Sequence, residues 1–330
     1  MKVAIVGATG QTGSVIVEAL LSDTSNFEVT ALVRESSLHK PAVLELQQKG
    51  AEIVAVDLAS SEIEMTKVLL GQDVVISTIY GGNVMDEIPL INAAKAAGVK
   101  RYLPCFFGTV APPKGALLLR EMKEEVLNHI KNIRLPYTVV DVGWWFQVNL
   151  PRLPSGRIDY AAMETSDGIA TDGNVPFALT DLRDVGTYVR RIILDPRTLN
   201  RMVFAYNEVV THNQMYDLME RLSGEKLERR YVAAAEIEAR IDSVRITDPA
   251  PDSVEFIGLT QLQYWHSCGV RGDNTPENAQ YLGYLLTKDL YPDIEGVTLE
   301  AYARDVLDGK GRRVYEHLMD LPSLGAANKA

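Results

Sequence analysis

Two cysteines in 330 residues are too few for a disulfide framework, and Cys105 and Cys268 stand in no cluster with metal-ligand spacing. No metal site is therefore expected, and a reducing compartment is. Positive charge is also scarce: 33 Lys and Arg face 44 Asp and Glu, a formal net charge of −11, with no long basic run. Binding nucleic acid through its phosphates requires a concentrated positive face, so no nucleic-acid partner is expected. No apolar run approaches the ~20 residues that span a bilayer. Met1 leads straight into an apolar strand without the features of a cleavable leader. No membrane partner is expected, a cytoplasmic location is, and nothing in the sequence fixes an oligomeric state.

What is present is a chain with 46% apolar residues, enough for a full core and long for one simple α/β unit. Strand-like runs recur at 3–6, 28–33, 52–56, 73–77, 101–103 and 137–142, with helix-like stretches between them. That alternation predicts an α/β fold, a doubly wound parallel sheet of the Rossmann type. Several of the runs are apolar throughout, as strands covered on both faces are. The dinucleotide-binding domain is expected over residues 1–150 and a smaller, mainly substrate-binding region over 151–330. About 176–206 of that region, with a capped helix over 180–194, is expected to return to the first domain. Within 246–270, Phe256, Tyr264, Trp265 and His266 read either as a pocket wall or lid, or as ordinary core. The small-residue stretch 325–330 is expected to fray.

The first strand runs into a glycine-punctuated turn, VAIVGATGQTG over residues 3–13. Gly7 allows the tight turn, Gly10 lets backbone approach a ligand, and Gly13 clears the place where the next helix packs on the sheet. The N–H groups of Gln11, Thr12 and Gly13, beside Thr9 and at the positive end of a helix over 14–21, would face a pyrophosphate. Ligands on such a sheet lie beyond the carboxyl ends of the strands. That rule adds Asp57 and Leu58, then Thr78, Ile79 and Tyr80, and Pro104, Cys105 and Phe106, as candidate cofactor contacts. The second strand ends in Arg34, where folds that hold NAD commonly place an acidic residue on the ribose hydroxyls. A guanidinium there suits a 2′-phosphate, so NADP(H) is the expected cofactor, with His39 or Lys40 adding charge. The competing reading of Arg34 is a solvated side chain paired with Glu35.

A tyrosine four residues before a lysine would suit proton exchange with a carbonyl. On the helix after the fifth strand the residue four before Lys123 is Leu119, so that pair is absent.

The motifs GATGQTG, LVR, INAAKAAGVKRYLP (91–104) followed by Phe107 and Gly108, LPYTVVDVGWW (135–145) and TDLRDVGTYV together resemble the NmrA-like and isoflavone-reductase-like atypical short-chain dehydrogenases. The resemblance implies that Lys123, which counting back from Pro136, Tyr137 and Thr138 puts at the family's lysine, lies beside the nicotinamide as proton donor or orienting cation. From the residues alone Lys123 reads as solvated, flanked by Glu121, Glu124 and Glu125. The chain departs from the plant reductases in having Cys105 and Phe106 where Ser-Glu is common, and Glu87 where glutamine is common. Those changes suggest a larger, less polar substrate held by stacking, with Tyr80, Phe106, Trp144, Trp145 and His266 as neighbours. The run PCFFGTVAPP through VGWW looks like a fungal subgroup associated with secondary metabolism.

Three functions follow from the resemblance. The first is an NADPH-dependent reductase delivering hydride to a C=C, C=N or related acceptor in a hydrophobic aromatic or alkaloid-like small molecule. The second is a redox-neutral cyclase or isomerase using bound NADP(H). The third is an NADP(H)-sensing regulatory protein without catalysis.

Overall fold

Residues 1–163, 168–246, 249–251 and 253–315 are described by the computed structural model of the chain, so the stretch 325–330 lies outside the described residues. Five short apolar runs form the first part of the sheet: β1 (Lys2–Val6), β2 (Glu28–Val33), β3 (Glu52–Ala55), β4 (Val74–Ser77) and β5 (Arg101–Leu103). They lie parallel in the order β3-β2-β1-β4-β5, with Val3 opposite both Val29 and Val74. A bridge between Tyr102 and Tyr137 carries the sheet on to β6 (Thr138–Asp141).

The connecting helices are α1 (Gln11–Leu21), α2 (Pro41–Gln48), α3 (Glu62–Leu69), α4 (Glu87–Ala96) and α5 (Leu118–Asn132). Side chains alternate across a strand, so Val3 and Ile5 pack with α1 and α2, while Ala4 and Val6 pack with α3, α4 and α5. The helix after β1 starts at Gln11, not at 14 as expected, because Gly10 acts as its N-cap and the helix follows the turn with no spacer.

Past β6, Gly143 takes the left-handed conformation (φ +70°), where a Cβ would sit 2.7 Å from Ala178 O. The chain then leaves the sheet as β7 (Trp144–Trp145), β8 (Ile169–Ala170) and β9 (Phe177–Thr180). Asp181 caps α6 (Leu182–Leu194) by accepting from Arg183 N–H at 2.9 Å. α6 packs on α1 through Gly186, whose absent Cβ would lie 2.2 Å from Val15 O. β10 (Arg201–Phe204) pairs parallel with β6, and β11 (Glu208–Val210) completes a small sheet with β9 and β7.

The remaining elements are α7 (His212–Ser223), β12 (Tyr231–Val232), α8 (Ala234–Arg245), α9 (Val254–His266), α10 (Pro276–Tyr281), β13 (Leu285–Leu286), α11 (Thr287–Leu290) and α12 (Leu299–Leu307). β12 pairs with β8, and β13 pairs with β10. Both cysteines are buried free thiols, and no described helix is long and apolar enough to cross a membrane.

Candidate functional site

The turn after β1 is built by contacts that tolerate no side chain. Gly7 has φ +77°, and a Cβ on it would lie 2.5 Å from Thr78 O; one on Gly13 would lie 2.2 Å from Gly7 O. Gly10 N–H closes the turn on Gly7 O at 2.9 Å, and Thr78 ties β4 to β1 through bonds from its N–H (2.9 Å) and hydroxyl (2.8 Å) to Val6 O. No side chain caps α1, so its first N–H groups, at Gln11, Thr12 and Gly13, keep no intrahelical acceptor. Gln11 Oε1 is buried with no hydrogen-bond partner among the described residues. An uncapped positive helix end and a glycine cradle together fit a dinucleotide pyrophosphate.

From this turn extends a cavity of about 510 Å³. Of the residues expected from sequence, Thr9, Gly10, Gln11, Thr12, Thr78, Ile79, Tyr80, Cys105, Phe106, Lys123, Trp144 and Trp145 line it. Gly7 and Gly13 shape the turn, and Pro104 lies behind the wall, its carbonyl accepting from Phe106 N–H at 2.8 Å. Arg34 and Lys40 are exposed beyond the end of β2, outside the cavity. The Arg34 side chain forms no ion pair with Glu35 or any other described residue. Asp57 and Leu58 lie outside the cavity too: Asp57 Oδ1 accepts from Ala59 N–H at 2.9 Å, and Leu58 packs against the apolar layer beneath α3 and α4.

Lys123 is the largest departure from a residue-by-residue reading. In place of a solvated lysine on a charged helix, the structure has a residue only 7% exposed whose ammonium donates to Phe106 O. Burial holds its pKa below the ordinary lysine value. Phe106 corrects the expectation of a stacking wall. Its ring is 2% exposed, packed on Leu127 and Val139 and covered by the Arg120 guanidinium 4.9 Å from its centroid. What it gives the site is its carbonyl.

Glu87 is likewise not on the substrate side. It is fully buried behind the wall, accepting from Tyr102 Oη (2.9 Å) and Cys105 N–H (3.1 Å). Burial pushes its pKa up to about 7. His266 does not reach the cavity; its Nε2 meets Glu238 Oε1 at 3.2 Å between α9 and α8.

Several site residues escaped the sequence reading. Beneath Phe106, Arg120 bridges Asp141 (2.7 Å), Glu124 (2.7 Å) and Tyr284 Oη (2.7 Å), a buried network with no local sequence signature. Tyr315 stacks on Trp145 at 5.5 Å and 7° and lines the cavity. The aromatic stretch on α9 divides: Phe256 and Tyr264 line the cavity, whereas Trp265 packs into a separate core with Ile237 and Leu259. Tyr264 stacks on Trp144 at 6.3 Å. Among the described residues no cluster of three or more His, Cys, Asp or Glu could hold a metal ion.

Comparison with known proteins adds four likenesses. The model of the NmrA-like family matches residues 1–263. The asnovolin J 5′,6′-dehydrogenase of Aspergillus novofumigatus is 46% identical over 314 residues, covering 94% of this chain and 96% of that protein. The phenylcoumaran benzylic ether reductase TP7 of Nicotiana tabacum is 31% identical over 317 residues, covering 91% and 97%. In fold, the chain matches the leucoanthocyanidin reductase–NADPH complex from Vitis vinifera with a TM-score of 0.77 at 23% identity, covering 93% of this chain and all of that one.

Proposed function

The chain belongs to the NmrA-like family, and on that footing we propose that it is an NADP(H)-dependent oxidoreductase of secondary metabolism acting on an apolar, ring-bearing small molecule. One observation carries the reading: a single cavity is lined both by the uncapped start of α1 and by a buried lysine, with Trp144, Trp145 and Tyr264 as an aromatic wall. In this reading Gln11, Thr12 and Gly13 hold the pyrophosphate and Arg34 with Lys40 the 2′-phosphate. Thr78 to Tyr80, Cys105 and Phe106 lie along the nicotinamide half. The bound coenzyme supplies or accepts the hydride. Lys123, its pKa lowered by burial, holds or releases a proton beside the reacting carbon more readily than a solvated lysine could.

Reduction of a C=C or C=N bond is the first reading of direction. Oxidation is the second, favoured by the name of the 46%-identical relative, a dehydrogenase. Hydride transfer is reversible, so one site serves both, and the oxidation state of the coenzyme supplied decides. The test is to follow nicotinamide absorbance with candidate unsaturated compounds plus NADPH, and with their saturated counterparts plus NADP⁺. Lys123→Ala should lower turnover about 10²- to 10⁴-fold while coenzyme affinity stays within a few-fold. Full turnover by the variant, or product formed without coenzyme, contradicts the reading.

A further inference from the structure

The tyrosine missing four residues before Lys123 is replaced in space. A Cβ built on Gly108 would lie 3.4 Å from Tyr264 Oη and 3.6 Å from Lys123 Nζ, so a phenol from α9 and an ammonium from α5 converge on one point of the cavity wall. The Tyr264 hydroxyl makes no hydrogen bond with any described residue, and its ring is held by Trp144. Lys123 spends one N–H on Phe106 O and keeps two. Two donors held in a low-dielectric wall around one place stabilise an oxygen that gains negative charge there, at no cost of reorganisation.

We propose that Tyr264 and Lys123 form an oxyanion site for the carbonyl oxygen of an α,β-unsaturated ketone or aldehyde, with Tyr264 as the catalytic proton donor. This rests on the oxidoreductase reading above and names its substrate class. Hydride added to an isolated C=C leaves an electron pair on carbon that nothing in this cavity would hold. With a conjugated carbonyl, hydride from the reduced coenzyme bonds to the β carbon and the C=C electrons shift onto oxygen. The enolate oxygen takes the proton of Tyr264, the phenolate is reprotonated by water beside the Lys123 ammonium, and the enol tautomerises to the saturated carbonyl. The net change is one hydride and one proton added across the C=C, with NADPH converted to NADP⁺. In the oxidative direction each transfer reverses. Burial raises the pKa of Tyr264, which keeps it protonated as a donor, and pushes the neighbouring Cys105 thiol up to about 12, which keeps that group neutral.

The probe is 4-nitrophenol, whose conjugate base stands in for an enolate and whose two protonation states differ in colour. Titrated into the protein with and without NADP⁺, below its own solution pKa, it should be taken up as the phenolate. Tyr264→Phe and Lys123→Met should each weaken that uptake about 10- to 100-fold, the loss of one hydrogen bond to a charged group. Gly108→Ala keeps both donors and places a methyl at ordinary contact distance between them, and should weaken uptake similarly. Tyr281→Phe, on a side chain 87% exposed on α10, should not. Uptake only as the neutral phenol, or uptake by Tyr264→Phe within twofold of wild type, overturns the proposal. Calorimetry with NADP⁺ alone separates the two failures: absent coenzyme heat removes the oxidoreductase reading, whereas lost phenolate uptake with coenzyme bound removes this one.

Discussion

Replacing Glu87 with glutamine should remove a pH dependence of stability that the wild-type protein carries out of sight. Glu87 is fully buried, and burial outweighs the hydrogen bonds from Tyr102 and Cys105, raising its pKa from 4.5 to about 7. Between those two values the folded state holds the proton and the unfolded state has released it. The stability this group contributes is therefore complete below about pH 4.5 and is lost as pH rises to about 7. At 1.36 kcal/mol per unit the loss is about 3 kcal/mol.

His212 runs the other way. Buried against Phe177, with its pKa lowered from 6.5 to about 4, it must charge on unfolding, so its contribution is present above about pH 6.5 and is lost as pH falls to about 4. The two slopes are of similar size and nearly cancel in the wild type where the ranges overlap. Glutamine satisfies the same partners, its oxygen accepting from Cys105 N–H and its amide donating to Tyr102 Oη. Urea unfolding of both proteins across this range isolates Glu87. The wild-type stability minus that of Glu87→Gln should fall by about 3 kcal/mol between about pH 4.5 and 7. A difference that stays constant across the range refutes the reasoning.

Arg120→Met should cost about 3–5 kcal/mol in denaturant unfolding, since it leaves buried Asp141 without its guanidinium. Adding Asp141→Asn should recover part of the loss, and an additive double variant would contradict the pairing. Gly186→Ala should lower stability by about 1–3 kcal/mol, seen as a lower melting temperature, because its methyl would meet Val15 O at 2.2 Å and pry α6 from α1. An unchanged melting temperature contradicts that packing.

The parallel sheet was legible because its strands are short apolar runs ended by turn residues, and a strand buried on both faces needs nothing else. The glycine turn was legible for a related reason: at Gly7 and Gly13 backbone meets backbone, and no side chain can stand there. The place of Lys123 on the cavity wall was legible only through the family resemblance. Its neighbours Glu121, Glu124 and Glu125 give α5 the pattern of a solvated helix, and the tertiary packing that buries the lysine and brings the Phe106 carbonyl to it leaves no trace in that pattern. His266 was misassigned where helical geometry could have warned. Two residues on a helix stand about 200° apart, so Tyr264 and His266 cannot both face one cavity. The network of Arg120, Asp141 and Tyr284 joins residues far apart in the chain, and no spacing announces it.

The claim on which the account depends is that the first two βα corners hold a 2′-phosphorylated dinucleotide. Calorimetric titration of NADP⁺ and NAD⁺ into the wild type and Arg34→Asp tests it directly. Arg34 is exposed and unpaired with the described residues, so the substitution should change stability by no more than about 0.5 kcal/mol. A charge-assisted hydrogen bond of about 1.5–3 kcal/mol predicts that the wild type prefers NADP⁺ by about 10- to 100-fold and that the variant loses this preference while still binding NAD⁺. No heat with either dinucleotide, or equal losses of both in the variant, would contradict the account.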